Sequence, residues 1–246
     1  MKAVLLGGTS GMGREVGRRL VERGDSVFLL GVDDADLARS AADLAARHPA
    51  GRPVGTAVCD LEHPEQFAPA LDAADAALGG FDTVVVTAAM FAAQEALEAD
   101  VELTRRLVTV DYAHTVVFCE HARKRLLARG GGRLAVFSSV AGDRGRKPVG
   151  IYGSSKAGLS LYLEALDHRF HSDGLSVLCV KPGFVKTAMT AGLRAPPFAG
   201  EPDEVSRQVV RAMDRRQPVL YTPGMWALVM LVIRWLPRFV MRRIAF

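Results

Sequence analysis

Tyr152 and Lys156 stand four positions apart in the stretch IYGSSKAGL, residues 151–159. On a helix that spacing stacks the two side chains on one face. A free phenol titrates near about 10. A lysine cation beside it favours the phenolate and lowers that value, which brings a proton donor and acceptor toward neutral pH. Gly153, Ser154 and Ser155 keep the helix narrow between them, so a reacting molecule has room to lie against it. The chemistry offered is proton transfer at an oxygen placed over the phenol. Alone, Y-x-x-x-K is common on ordinary helices, so the second reactant must come from elsewhere in the chain.

A candidate lies at the N-terminus. LLGGTSGMGREVG follows an apolar run and opens a helix, with Gly7, Gly11 and Gly13 spaced G-x-x-x-G-x-G. The start of a helix presents free backbone N–H groups and the positive end of its dipole, which suit a pyrophosphate. Glycine allows the tight turn and the close approach of backbone to ligand. Thr9 and Ser10 add hydroxyl donors, and Met12 and Arg14 complete the loop.

Six apolar runs punctuate the chain: AVLLG (3–7), SVFLLG (26–31), PVGTAVC (53–59), DTVVVTA (82–88), RLAVFS (133–138) and LSVLCVK (175–181). Nearly continuous apolar runs of this length predict strands buried on both faces. Helical stretches lie between them, over 13–25, 34–48, 64–78, 101–129 and 150–172, the first closed by Gly24. Strand–helix alternation implies a doubly wound parallel sheet flanked by helices, and PVLY (218–221) adds a seventh strand at an edge. The pattern predicts one domain over 1–222 with an amphipathic helical extension, 223–246.

Composition narrows the class. With 246 residues, 49% of them hydrophobic, the chain can bury a full core without covalent staples. Cys59, Cys119 and Cys179 are scattered, which argues for a reducing cytosol. MKAVLLGG is too short an apolar stretch for a signal peptide and reads as a buried strand. His168 and His171 share a helix face without a third ligand, so no metal site is expected. The net charge of +4 is uneven: Arg234, Arg238, Arg242 and Arg243 fall in the last thirteen residues, where there is no acid. No nucleic-acid motif accompanies them.

Taken together, the glycine loop and Tyr152-x-x-x-Lys156 resemble the short-chain dehydrogenase/reductase superfamily, over essentially the whole chain. The resemblance implies a Rossmann-type fold, NAD or NADP as cofactor, and hydride transfer between a carbonyl and an alcohol. It places Ser139, in VFSSVAG and thirteen residues before Tyr152, as the catalytic serine. Tyr152 becomes the proton donor or acceptor, and Lys156 also holds the nicotinamide ribose. Asp60 and Leu61, in CDL (59–61), fall at the adenine side. Pro182 and Gly183 open the loop KPGFVKT (181–187), whose Val185 and Thr187 would contact the nicotinamide amide and the phosphate. Dimers or tetramers through helices 101–129 and 150–172 are the family habit.

Three positions depart from the family pattern. VTAA (86–89) replaces Asn-Asn-Ala-Gly, though small Ala88 and Ala89 still permit a cofactor wall. Asp111 stands where the family has its fourth catalytic residue, an asparagine. An ionised aspartate only accepts hydrogen bonds; it would hold a water for a proton relay, or pair with Lys156 and weaken its effect on Tyr152. After the second strand, GVDD (31–34) leaves Arg14 and Asp33 pulling toward NADP and NAD respectively, so the preference stays open.

The tail, PGMWALVMLVIRWLPRFVMRRIAF, is too short in its apolar part to span a bilayer and is split by Pro237. Trp226, Trp235 and the arginines suit an anionic membrane interface; a cover over the substrate cleft or a dimer contact is the competing reading. From about residue 136 onward the chain is similar to the reductases of decaprenylphosphoryl-2-keto-ribose, which act with a flavin oxidase in making a cell-wall arabinose donor. That resemblance implies a lipid-phosphate-linked keto-sugar, with Arg144, Arg146, Lys147, Lys186 and Arg194 as candidates for its phosphate, and a cytoplasmic protein peripheral to the membrane. Another hydrophobic ketone, of steroid or 3-oxoacyl type, and an NAD(P)-binding sensor or scaffold are the alternatives.

Overall fold

All seven apolar runs form parallel strands of one sheet, in the order β3-β2-β1-β4-β5-β6-β7. The computed structural model describes residues 1–192, 195–196 and 198–244. The strands are β1 (Lys2–Leu6), β2 (Ser26–Gly31), β3 (Gly55–Val58), β4 (Thr83–Val86), β5 (Gly132–Phe137), β6 (Leu175–Pro182) and β7 (Val219–Thr222). The helices are α1 (Gly11–Glu22), α2 (Asp34–Arg47), α3 (Phe67–Leu78), α4 (Gln94–Ala99), α5 (Val101–Val108), α6 (Thr115–Ala128), α7 (Gly150–Phe170), α8 (Pro202–Asp214), α9 (Met225–Trp235) and α10 (Arg238–Met241).

Side chains alternate across each strand, so the sheet feeds two cores. Val4, Leu6, Phe28 and Val84 pack with Phe67, Phe118, Leu159 and Leu163, from α3, α6 and α7. Ala3, Leu5, Leu29 and Val85 pack with Val16, Leu20, Leu37, Val205 and Val209, from α1, α2 and α8. The edge strand β3 departs from the expected two-sided burial: it is half-buried to exposed, because it has a strand neighbour on one side only. The order in which strands are added reverses between β1 and β4, the switch point at which parallel sheets open a crevice.

Local signals explain most of the ends. Gly24, at φ +91°, closes α1: its N–H bonds the Val21 carbonyl and the Asp25 N–H bonds that of Leu20. Helix α8, unforeseen in the sequence, starts with Pro202 and has Asp203 and Glu204 in its first turn, a start signal present in the residues. The expected single helix over 101–129 is instead α5 and α6, joined by a π-helical segment, Thr109–His114. A widened turn of this kind admits an extra residue and re-aims what it carries; here it turns Asp111 inward to full burial.

The tail splits at Pro237, as its sequence suggests, but Trp226 is not at an outer interface. It is buried with Val140, Met230 and Ile233 in a third small cluster, each large side chain contributing about 2 kcal/mol by burial. Its indole N–H donates to the Phe198 carbonyl at 3.3 Å. The indole lies on Gly183, where a Cβ would stand 2.1 Å from Nε1. Gly183→Ala should therefore expel Trp226 and cost about 1–3 kcal/mol, read as a red shift in tryptophan emission together with a lower midpoint in urea.

Candidate active site

The glycine loop crosses the crevice above β1. Gly7, Ser10, Gly11, Met12, Gly13, Thr87, Ala88, Ala89, Thr187 and Met189 line one cleft. Gly7 and Gly11 need their φ of +88° and +47°, whereas Gly13 is fixed by packing: a Cβ on it would stand 2.3 Å from the Gly7 carbonyl oxygen. Thr87, in the segment that departs from the family pattern, holds this contact by donating its hydroxyl to the carbonyls of Leu6 and Gly7 at 3.1 and 3.0 Å. The first N–H groups of α1 have no partner within the helix, and the Ser10 side chain makes no cap bond. A strand-to-helix turn of this shape, walled by Ala88 and Thr187, fits the diphosphate of a dinucleotide.

Other expected cofactor residues sit differently. Leu61 and Val185 have core side chains, and their carbonyls engage His114 Nδ1 at 2.6 Å and Thr190 Oγ1 at 2.7 Å. Pro182 is buried at the end of β6, and Gly183 faces Trp226 rather than the cleft. Asp60 accepts the Glu62 N–H at 2.9 Å. Asp33 caps α2 through the Asp36 N–H at 2.7 Å, and Arg14 folds back to donate to the Thr9 carbonyl at 2.9 Å. Both residues hold their own loops.

The segment after β4 leads from this cleft to Tyr152. Phe91 meets the Tyr152 ring edge-on, centroids 5.3 Å apart. Gln94 accepts the Ile151 N–H at 3.2 Å, steadying the start of α7. Against the small residues of that helix lies the chain itself. A Cβ on Gly153 would stand 2.7 Å from the Ala141 carbonyl oxygen, and one on Gly142 would stand 2.7 Å from the Ala157 nitrogen. The narrow face expected to receive a ligand thus receives the turn Val140–Asp143. That turn presents Ser139: its hydroxyl oxygen accepts the Ala141 N–H at 3.1 Å, and the serine lies close enough to Tyr152 to favour its phenolate.

Lys156 is buried, its ammonium 5.6 Å from the Tyr152 ring centroid and 3.2 Å from Asp111 Oδ2. The other Asp111 oxygen accepts the Met90 N–H at 2.6 Å. Burial works against the Lys156 charge, but Asp111 and Tyr152 together more than offset it and hold the ammonium above its ordinary value. Burial pushes Asp111 upward, with Lys156 and the Met90 N–H pulling back. The expectation that Lys156 brings Tyr152 below the usual phenol range is corrected. Burial raises the phenol, Lys156 lowers it, and the Asp111 carboxylate raises it again, so the net direction is up.

A second buried charge cluster went unread in the sequence. Asp143, its side chain only 3% exposed, accepts from Lys181 Nζ and from the Tyr221 hydroxyl, each at 2.6 Å. It ties the Ser139 turn to β6 and β7. Of the basic residues proposed for a phosphate, Arg144 donates to the Leu236 carbonyl, Lys147 to that of Arg242, both at 2.7 Å, and Lys186 pairs with Glu201. Arg146 is half-buried. Arg194 lies outside the described residues.

Residues 1–197 match the family model described as short chain dehydrogenase. The chain belongs to the short-chain dehydrogenase family. An uncharacterized oxidoreductase of Mycobacterium tuberculosis is 34% identical to this short-chain dehydrogenase over 98% of the chain and 95% of the relative. A cis-4-hydroxycyclohexanecarboxylate dehydrogenase of Sinomonas cyclohexanicum is 30% identical, covering 78% and 76%. A short-chain type dehydrogenase/reductase from Mycobacterium ulcerans shares the fold, with a TM-score of 0.82 at 23% identity over 98% and 97% of the two chains. Members of the family use NAD or NADP.

Two outcomes follow for this short-chain dehydrogenase. Asp111→Asn removes the carboxylate that raises Tyr152. The phenol should then ionise at lower pH, and the kcat/KM profile for alcohol oxidation should move toward acid. Asp143→Ala leaves Lys181 buried and unpaired and should cost about 3–5 kcal/mol in urea unfolding, against about 0–1 kcal/mol for the exposed pair Arg39–Asp36.

Proposed function

We propose that Tyr152, Ser139 and Lys156 carry out the interconversion of a ketone and a secondary alcohol, with NAD(P) held on the glycine loop. The single observation that carries this reading is the buried ammonium of Lys156, 5.6 Å from the centre of the Tyr152 ring, with the Ser139 turn packed on the same helix. In reduction, Ser139 and Tyr152 donate hydrogen bonds to the ketone oxygen, and Tyr152 passes its proton to it. Lys156, kept charged by Asp111, stabilises the phenolate left behind. In oxidation, Tyr152 accepts the proton from the alcohol. The dinucleotide, when bound, gives or takes the hydride.

For substrate we infer a ketone with an apolar body. Met189 on the cleft and Phe198 beside Trp226 are both exposed, 44% and 47%, and support an apolar approach. Similarity of the later half to the keto-sugar reductases makes a polyprenyl-phosphate keto-sugar the first compound to try, ahead of steroids and 3-oxoacyl chains. Copies of the chain pair through α6 and α7, whose outer surfaces leave Val117 and Leu161 exposed.

The test is oxidation of NADH and of NADPH with a panel of these ketones. Tyr152→Phe should lower kcat by about 10²–10⁴-fold while nucleotide affinity, measured by titration, stays. Equal turnover by wild type and Tyr152→Phe would remove Tyr152 from the mechanism. Nucleotide binding with no turnover across the panel would favour a sensor or scaffold instead.

A further inference from the structure

Helix α9 has two unlike faces. Trp226, Met230 and Ile233 are buried against the body of the protein. On the other side Met225, Leu228, Leu231, Val232 and Trp235 are exposed, Trp235 by 82%, and Phe239 of α10 is exposed as well. Helical spacing places these residues side by side. Such a contiguous apolar strip marks a contact surface. Arg234, Arg238, Arg242 and Arg243, on or next to the same two helices, are exposed, and residues 223–246 contain no acid.

We propose that this outer face of α9 and α10 docks on an anionic lipid surface. Charge decides between the occupants. A second copy meeting the same face about a two-fold axis would set arginine against arginine, whereas anionic headgroups complement all four. Tryptophan and phenylalanine suit the headgroup boundary, and an amphipathic helix lies in its plane. Among the described residues no helix is long and apolar enough to cross a membrane, which fits lying on the surface. The face is also formed in advance: Arg144 and Lys147 hold the carbonyls of Leu236 and Arg242, so little ordering remains to oppose binding.

The experiment is flotation of the full chain with phosphatidylcholine vesicles, with and without an equal part of phosphatidylglycerol. Wild type should float with the anionic vesicles and stay behind with phosphatidylcholine alone. The double variant Leu231→Glu/Trp235→Glu should lose flotation, and Arg238→Gln should lower the partition coefficient roughly fivefold, equivalent to about 1 kcal/mol per cation near such a surface. Both variants touch exposed positions, so their thermal midpoints and nucleotide affinities should match wild type; a variant that fails this check is replaced by Leu228→Glu. Failure of wild type to float, or equal flotation with both vesicles, overturns the proposal. So does a concentration-dependent dimer that the double variant converts to monomer, which would assign the face to a second copy.

Discussion

The close approach of two backbone segments sets the geometry of this site. The turn after β5 touches helix α7 at Gly142 and Gly153, where a side chain on either would overlap backbone atoms. That contact fixes how far Ser139 stands from Tyr152, because the serine hydroxyl has a short reach and the tyrosine hydroxyl sits at the end of a rigid ring. Neither residue could be brought to the other by side-chain rotation if the segments stood apart. The glycine loop above β1 follows the same logic, with Gly7 against Gly13 and Thr87 bridging them. Both halves of the site are therefore built by removing side chains where backbones meet, and by adding hydroxyls where they must be held.

Charge is managed in a second way. Two lysines lie deep in this region, and each has an aspartate: Lys156 with Asp111, Lys181 with Asp143. A buried ammonium without a partner would shed its proton or unfold its surroundings. At Lys156 this security has a chemical side effect, since the carboxylate that keeps the ammonium charged also opposes ionisation of Tyr152. The chain trades some of the lysine's influence on the phenol for a lysine that stays charged.

How much of this was legible in the residues depended on the range of the interaction. The apolar runs, the glycine loop and the Tyr152–Lys156 spacing are local patterns, and they located the sheet, the cleft and the helix. Lys156 pairing with Asp111 was readable as one of two alternatives, because both positions were already singled out. Partners distant in sequence were not readable. Nothing near Asp143 announces Tyr221, and nothing near Gly183 announces Trp226, since burial at each depends on how β6, β7 and the tail come together. Arg14 and Asp33 show the opposite failure. Their types suggested cofactor discrimination, yet each satisfies a backbone group beside it. The π-helical segment that turns Asp111 inward has no signature in VDYAHTV that a helical repeat would reveal.

The grip of Lys147 on the Arg242 carbonyl spans ninety-five residues. A chain emerging from the ribosome forms its N-terminal elements first, so the dinucleotide cleft can assemble while the tail is still being made. The serine-bearing turn, by contrast, waits for its last supports until β7, α9 and α10 have been synthesised. The cleft on the glycine loop thus precedes, in order of synthesis, the supports of the Ser139 turn, which come from segments made much later.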